Sequence, residues 1–101
     1  MTITTLAQYN VKPENAAAVR QLLLVAARHT RAEAGCLYFH AYLALEDRQQ
    51  IVLIEGWKDR EALDLHRRTK HFNKIVLAQI VPLLESRSVT FLAPAFEEEF
   101  E

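Results

Sequence analysis

Side chains that could transfer protons or hold an aromatic ligand lie in four short segments. These are Glu33–Cys36, Glu55–Trp57, His66 and His71–Phe72. An imidazole that is neutral near pH 7 can remove the proton of a phenol, so His66 and His71 are candidate general bases. For each histidine taken alone, a hydrogen-bonded packing role is an equally good interpretation.

The spacing of these two histidines argues against a metal site. Five residues along one continuous helix rotate a side chain by about 140°, so the rings would not converge on one ion. If the helix breaks at Arg68–Thr69, one histidine ends a helix and the other begins the next, and both can face the sheet near Trp57. At a helix start the charged form of an imidazole is disfavoured, which leaves a neutral base. We predict no metal ligands.

A carboxylate shares one strand face with the single tryptophan. Glu55 and Trp57 have the same parity in an otherwise apolar strand, so the acid needs a partner such as an arginine, a histidine or backbone donors. A structural salt bridge is the favoured interpretation for Glu55. A tryptophan at a strand end is typically part of the core, and a ligand-binding role competes with that interpretation.

The remaining reactive residues suggest little chemistry. Cys36 is the only cysteine, so the chain cannot form an internal disulfide. No nucleophile-and-base motif accompanies Cys36, and we interpret it as a small buried hydrophobic residue. With only Gly35 and Gly56 in the chain, a glycine-rich phosphate loop or dinucleotide fingerprint cannot be built. We expect no nucleotide, flavin or other cofactor. His29 is assigned to solvent and His40 to an interface.

The elements that must position these groups follow the order β-α-β-β-α-β. Apolar periodicity, with Pro13 and Pro82 as breakers and Asp59 and Thr69 as helix caps, predicts each element. The predicted strands are 3–12, 37–45, 51–57 and 88–92, and the predicted helices are about 13–32, 60–67 and 70–81. Gly35 is expected to supply the backbone freedom needed to leave the first helix.

This order predicts an α+β, ferredoxin-like fold: a four-stranded antiparallel sheet with helices on one face. Tyr38, His40 and Tyr42 would then lie on the face that no helix covers. Such a semi-apolar aromatic surface suits a second sheet. We therefore predict a homodimer that packs through this open face.

Size and composition limit the function classes. One hundred and one residues allow one domain, assigned to 1–95, and the acidic stretch 96–101 is interpreted as a solvated tail. A formal charge of −1 lacks the basic excess typical of nucleic-acid binding. No apolar stretch reaches the roughly 20 residues of a membrane span, and the start lacks the pattern of a leader segment. We expect a cytoplasmic protein without nucleic-acid or membrane partners.

An ordered set of short motifs resembles one known family. The set comprises Glu33-Ala34-Gly35-Cys36 with Phe39, then Glu55-x-Trp57, then Ala62-Leu63-x-x-His66-x-x-x-x-His71-Phe72, then Pro82-Leu83. It resembles the antibiotic biosynthesis monooxygenase domain over about residues 3–94. The resemblance implies a dimeric α+β barrel with a pocket between the sheet and the helices of each subunit.

The resemblance also implies candidate activities. Family members include cofactor-free quinol and polyketide monooxygenases, haem-degrading enzymes, a branch that degrades autoinducer-2, and proteins with no known substrate. Haem degradation is disfavoured because the inward asparagine that this branch requires on strand one corresponds to about Leu6. Trp57 and His71 match positions that help to form the family's pocket, and His66 matches less well.

We therefore predict a cofactor-independent monooxygenase that acts with O₂ on an electron-rich phenol, hydroquinone or polyketide-like aromatic. His71 would be the base, His66 would hold an oxygen substituent, and Trp57 would shape the ring site. Phe72, Phe39 and Glu55 are predicted to contact the substrate. This hypothesis requires Trp57 and His71 to face one cavity.

Two other function classes stay open. One is a non-catalytic ligand-binding or stress-associated dimer. The other is an isomerase or autoinducer-2-degrading type of enzyme acting on a small phosphorylated compound, for which Arg67, Arg68 and Lys70 could hold the phosphate.

Overall fold

The order of strands and helices agrees with the sequence pattern. The structure is a computed structural model, and it describes residues 1–96. The elements are β1 (Ile3–Val11), α1 (Ala16–Arg31), β2 (Cys36–Leu43), β3 (Gln50–Trp57), α2 (Arg60–Arg67), α3 (Phe72–Ile80) and β4 (Leu84–Leu92). Short 3₁₀ turns precede α1 at Pro13–Asn15 and follow α3 at Val81–Leu83.

The four strands form one antiparallel sheet in the order β2-β3-β1-β4. β1 and β3 are central, and β2 and β4 are the edges. This arrangement confirms the predicted ferredoxin-like α+β fold, in which the β1–α1–β2 and β3–helices–β4 units interleave.

Side-chain alternation divides the sheet into two faces. The face under the helices carries the main core, which includes Tyr9, Leu53 and Phe39, and receives Val19, Leu23 and Ile80 from the helices. The opposite face carries the three predicted side chains of β2: the Tyr38 and His40 rings stack at 5.6 Å, and Tyr42 follows at 6.2 Å from His40. We call this surface the open face.

The helical region between β3 and β4 is broken where the sequence predicts. Asp59 caps α2 by accepting a hydrogen bond from the Ala62 amide at 2.8 Å. The Thr69 hydroxyl accepts from the Phe72 amide at 3.2 Å and donates to the His66 carbonyl at 2.8 Å. Thr69 therefore bridges the end of α2 and the start of the next helix.

Two features of this region differ from the prediction. α3 is wound as a π-helix, which has a wider turn than the α-helical spacing assumed from the apolar pattern. β4 begins at Leu84, four residues before the predicted start, because the chain extends directly after the turn that contains Pro82. The polar residues at the start of β4 concealed it, since an edge strand exposes most of its side chains.

Both glycines are required for close approach, and neither has a positive φ. The predicted role of Gly35, conformational freedom, is therefore wrong. A side chain at Gly35 would overlap Ala62 of α2, and one at Gly56 would overlap the Tyr38 ring. Gly35 lets α2 pack against the start of β2, and Gly56 lets Tyr38 lie flat on the open face.

Two expectations concern the chain ends and the membrane. The predicted acidic tail falls almost wholly on residues 97–101, outside the described part of the chain. Within residues 1–96, no helix is both long and apolar enough to cross a membrane.

Candidate active site

A cavity of about 230 Å³ lies between the helix-facing side of the sheet and the helices. The centre of that sheet face carries the small residues Thr5 and Ala7, so the helices above it do not fill the space. The wall is formed by Thr5, Ala7, Tyr9, Leu23, Thr30, Phe39, Leu53, Glu55, Leu63, His66, Arg67, Phe72, Val76, Leu77, Arg87, Val89 and Phe91. Most of these are apolar, and the hydroxyl, acidic and basic groups occupy defined positions.

Three polar side chains mark one end of the cavity. Thr5 and Glu55 are partners across β1 and β3, and His66 of α2 lies above them, with its Nε2 atom 3.9 Å from Glu55 Oε1. The Thr5 hydroxyl is buried and has no hydrogen-bond partner among residues 1–96. A buried unpaired hydroxyl at a cavity wall is a candidate contact for a polar ligand atom.

Glu55 is a buried acid, 7% exposed, and its ion-pair contact among residues 1–96 is with His66, one of the partner types that the sequence predicted. Burial raises the pKa of its carboxyl from 4.5 to about 7; the charge of Glu33 adds to the shift, and that of Arg87 opposes it. His66, at 3.9 Å, is beyond hydrogen-bond distance. With a pKa of about 7, this carboxyl is partly protonated near neutral pH at the cavity wall.

His66 is held from behind by Glu33, at the turn that follows α1. The His66 Nδ1 atom lies 2.7 Å from Glu33 Oε2. Burial lowers the pKa of His66, and the hydrogen bond to Glu33 opposes that shift. In a neutral imidazole whose Nδ1–H donates to a carboxylate, the Nε2 atom carries the lone pair. That atom faces Glu55 and is available as a proton acceptor.

His71 lies on the other side of the same carboxylate. Its Nε2 atom is also 2.7 Å from Glu33 Oε2, and its ring stacks on His29 at 5.3 Å. His29 was assigned to solvent; it is exposed but provides this stacking contact. His71 does not line the cavity.

Trp57 supports the site from beneath. It is fully buried in a small cluster with Ala62 and Leu63, and its ring centroid lies 4.5 Å from that of His66. It does not line the cavity, and its Nε1 atom has no hydrogen-bond partner among the described residues. The prediction that Trp57 and His71 face one common cavity is therefore wrong: both contact the site through intervening groups.

The three predicted substrate contacts are all at the cavity wall: Phe72, Phe39 and Glu55. The Phe72 ring lies 5.0 Å from that of His66, which places an aromatic surface beside the imidazole. These positions allow direct contact with a ligand.

Glu33, His66 and His71 form the group most suited to holding a metal ion. Their ligand atoms lie within 4.8 Å of one another. The two histidines converge because the helix breaks between them, as expected for a break at Arg68–Thr69, so their spacing is no argument against a metal ion. In the structure each imidazole already has a hydrogen-bond partner in Glu33, so the three side chains are mutually satisfied.

The position compared with the haem-degrading branch also needs correction. Leu6 lies on the open face, since its sheet partners alternate with the cavity-lining pairs. The residues of β1 that face the cavity are Thr5, Ala7 and Tyr9. The comparison at this strand therefore belongs to Thr5 or Ala7.

Sequence reasoning missed four polar contributors. Glu33 was considered only as part of a motif. Its contact with His66 was not predicted, because 33 residues separate the two in the sequence. Thr5, Tyr9 and Arg87 were not singled out, although strand parity with Glu55 could have indicated the first two. Arg87 lay outside the predicted strand, so no parity was available for it.

The chain belongs to the antibiotic biosynthesis monooxygenase family, whose model matches residues 2–77. This confirms the resemblance seen in the ordered motifs. The family match defines the class of protein to which this chain belongs.

Among the relatives, "Putative monooxygenase Rv0793" of Mycobacterium tuberculosis is 35% identical over 96 residues, covering 94% of this chain and 93% of that protein. "Putative monooxygenase YcnE" of Bacillus subtilis is 30% identical over 70 residues, covering 69% and 74%. The solved structure of Rv0793 superposes with a TM-score of 0.89 and 34% identity over 96% of this chain and 98% of that chain. The structure of PA3566 from Pseudomonas aeruginosa gives 0.85 and 28% over 94% and 95%.

Proposed function

We propose that this protein is a cofactor-independent monooxygenase of an electron-rich phenol or hydroquinone, working as a cytoplasmic homodimer. The observation that carries the proposal is the placement of the His66 Nε2 atom and the Glu55 carboxyl at one end of an otherwise apolar cavity. The names of two relatives, each called a putative monooxygenase, support the same reaction class.

This reaction requires the protein to supply a base and an apolar cavity and to orient the substrate. His66 Nε2 takes the proton of a hydroquinone hydroxyl, and the resulting anion reduces O₂. One oxygen atom then forms a bond to a ring carbon, and the other leaves as water. For a hydroquinone, C₆H₆O₂ and O₂ give the hydroxyquinone C₆H₄O₃ and H₂O, so the substrate supplies all the electrons.

This assignment moves the base from His71 to His66. Glu33 orients the imidazole and stabilises the imidazolium that forms when His66 accepts a proton. His71 holds the Glu33 carboxylate through its own hydrogen bond, and Trp57 packs against the His66 ring. His71 and Trp57 are therefore positioning residues in this proposal, and Phe72 and Phe39 form the ring site.

Oxygen uptake with 1,4-dihydroxynaphthalene tests the proposal. Removing a general base typically costs about 10²–10⁴ in rate, so His66→Gln should lose at least that order. His71→Ala should lose less, about tenfold, because it acts through Glu33. His40→Gln is the matched control, since that imidazole lies on the other side of the sheet; each variant is checked for its oligomeric state.

Uptake by the wild type that does not change in His66→Gln would remove the imidazole from the mechanism. Absence of uptake by the wild type with this and related hydroquinones would favour the ligand-binding dimer. One observation supports the hypothesis of a phosphorylated substrate: Arg67 lines the cavity and could hold the phosphate. Arg68 and Lys70 do not line it.

The homodimer is proposed to form through the open face. Tyr42 is 53% exposed and Leu92 is 43% exposed there, and large apolar side chains on a sheet face that no helix covers suit an interface. A charge buried in such an interface is strongly unfavourable. Tyr42→Asp should therefore convert a dimer into a monomer in sedimentation velocity. A monomeric wild type, or a variant with unchanged mass, would contradict this packing.

A further inference from the structure

Two arginines lie at the wall of the cavity, Arg67 near the end marked by Thr5 and Arg87 four residues of β1 away from it. Arg67 ends α2, and its guanidinium carbon lies 5.6 Å from the centre of the Phe91 ring. Arg87 lies on β4, with its guanidinium carbon 6.0 Å from the centre of the Tyr9 ring. Both side chains line the cavity and both residues are exposed, so they occupy its opening along the edge strand.

Neither guanidinium has a carboxylate partner in the part of the chain that the structure describes. The ion pairs found there join Glu33 or Glu55 to a histidine. Each guanidinium instead lies near an aromatic ring. Arg87 also interacts with the Tyr9 hydroxyl, and the other N–H groups of its fork can bind an anion. A planar guanidinium binds a carboxylate through two parallel hydrogen bonds.

The strand register separates the two polar regions of the cavity. Thr5 pairs with Phe91 and Tyr9 pairs with Arg87, four residues further along β1, which corresponds to about 13 Å between backbone positions. Ala7 and Val89 form the layer between them. A ligand that reaches both regions needs a hydroxyl at the end near Thr5, an apolar ring in the middle and an acid at the opening.

We propose that the cavity binds a hydroxylated aromatic carboxylate, with its hydroxyl at Thr5, Glu55 and His66 and its carboxylate held by Arg87. This inference rests on the proposed function for the orientation of the hydroxyl. It adds a substrate class, because a neutral phenol or hydroquinone would leave the Arg87 guanidinium without an anionic partner.

Equilibrium binding of two air-stable probes tests the proposal without turnover. Isothermal titration calorimetry compares 6-hydroxy-2-naphthoate, whose hydroxyl and acid lie at opposite ends of the ring system, with 2-naphthol, which has the same ring system and hydroxyl but no acid. The wild type should bind the acid at least about tenfold more tightly, which corresponds to about 1.4 kcal/mol. Raising the salt concentration should reduce that preference, because screening weakens exposed charge interactions.

Variants locate the carboxylate. Arg87→Gln should abolish most of the preference, and Arg87→Lys should keep part of it because the charge remains. Arg67→Gln should reduce the preference less than Arg87→Gln, because Arg67 lies near Phe91 at the other end of the cavity. Arg48→Gln is the matched control; that arginine is exposed in the turn before β3 and does not line the cavity. If Arg87→Gln fails to fold, the loss of preference in Arg87→Lys decides the question.

Equal affinity for the two probes, or a preference unchanged in Arg87→Gln, would overturn the proposal. Tighter binding of 1-naphthyl phosphate than of the carboxylate would overturn the carboxylate assignment in favour of a phosphate monoester. These outcomes are separate from oxygen uptake: a protein that binds the acid through Arg87 without consuming O₂ would retain this site and lose the oxygenase mechanism.

Discussion

Glu55 should make the stability of this protein depend on pH in the direction opposite to an ordinary paired carboxylate. Its pKa is raised from 4.5 to about 7, chiefly by burial. The folded state therefore holds the proton more tightly than the unfolded state. The contribution of Glu55 to the free energy of unfolding is therefore largest below pH 4.5. It decreases as the pH rises from 4.5 to about 7 and is smallest above that value.

The size of the effect follows from the shift. Each pKa unit corresponds to about 1.4 kcal/mol of difference between the two protonation states. The shift recorded for Glu55 therefore corresponds to about 3 kcal/mol, little reduced by solvent screening because the side chain is almost fully buried.

Glu55→Gln isolates this contribution, because the amide is similar in shape and stays neutral. We expect the variant and the wild type to have similar unfolding free energies near pH 4.5. The variant should become more stable by up to about 3 kcal/mol by pH 8. Urea unfolding at intervals of half a pH unit, at two protein concentrations to separate any dimer dissociation, gives the difference between the two curves.

Glu46→Gln is the control, since that carboxylate is exposed in the β2–β3 turn and should give a curve parallel to the wild type. Parallel curves for Glu55→Gln as well would refute the reasoning, because they would mean that Glu55 ionises as readily in the folded chain as in the unfolded one. A curve of the opposite slope would indicate a close cationic partner.

Three further predictions concern the fold. Asp59→Ala removes the side chain that caps α2 and should lower the unfolding free energy by about 1 kcal/mol, measured by urea unfolding against Asp59→Asn, which retains a capping oxygen. Gly56→Ala places a methyl group against the Tyr38 ring and should cost about 1–3 kcal/mol; an unchanged midpoint would show that Tyr38 moves freely. Ile80→Ala leaves a gap in the main core away from the cavity and should cost about 2–5 kcal/mol, and a loss below 1 kcal/mol would contradict tight packing around it.

Much of the architecture is encoded locally. Pro13, Asp59, Thr69 and Pro82 act through their own backbone geometry and side-chain hydrogen bonds, so they mark helix starts and ends wherever they occur. Alternation in β2 likewise placed Phe39 on the buried side and Tyr38 on the open face. These features depend on neighbours a few residues away, and the sequence shows those neighbours directly.

Other local features could not be predicted from the sequence. The early start of β4 depends on its pairing with β1. The apolar pattern of α3 does not distinguish its π-helical winding from an α-helix. Gly35 was recognised as a boundary, but the reason for it is contact with Ala62, a residue on another element.

The sequence by itself determined the family, the order of elements and the residue types available for chemistry, because these follow from short-range patterns. Only the tertiary structure decided which of those residues meet. Glu33 joins His66 and His71 across more than thirty residues, and Trp57 and His71 lie behind the cavity wall while Glu55 and Arg87 reach it. Such contacts depend on how helices cross the sheet, and side-chain spacing along the chain does not specify that crossing.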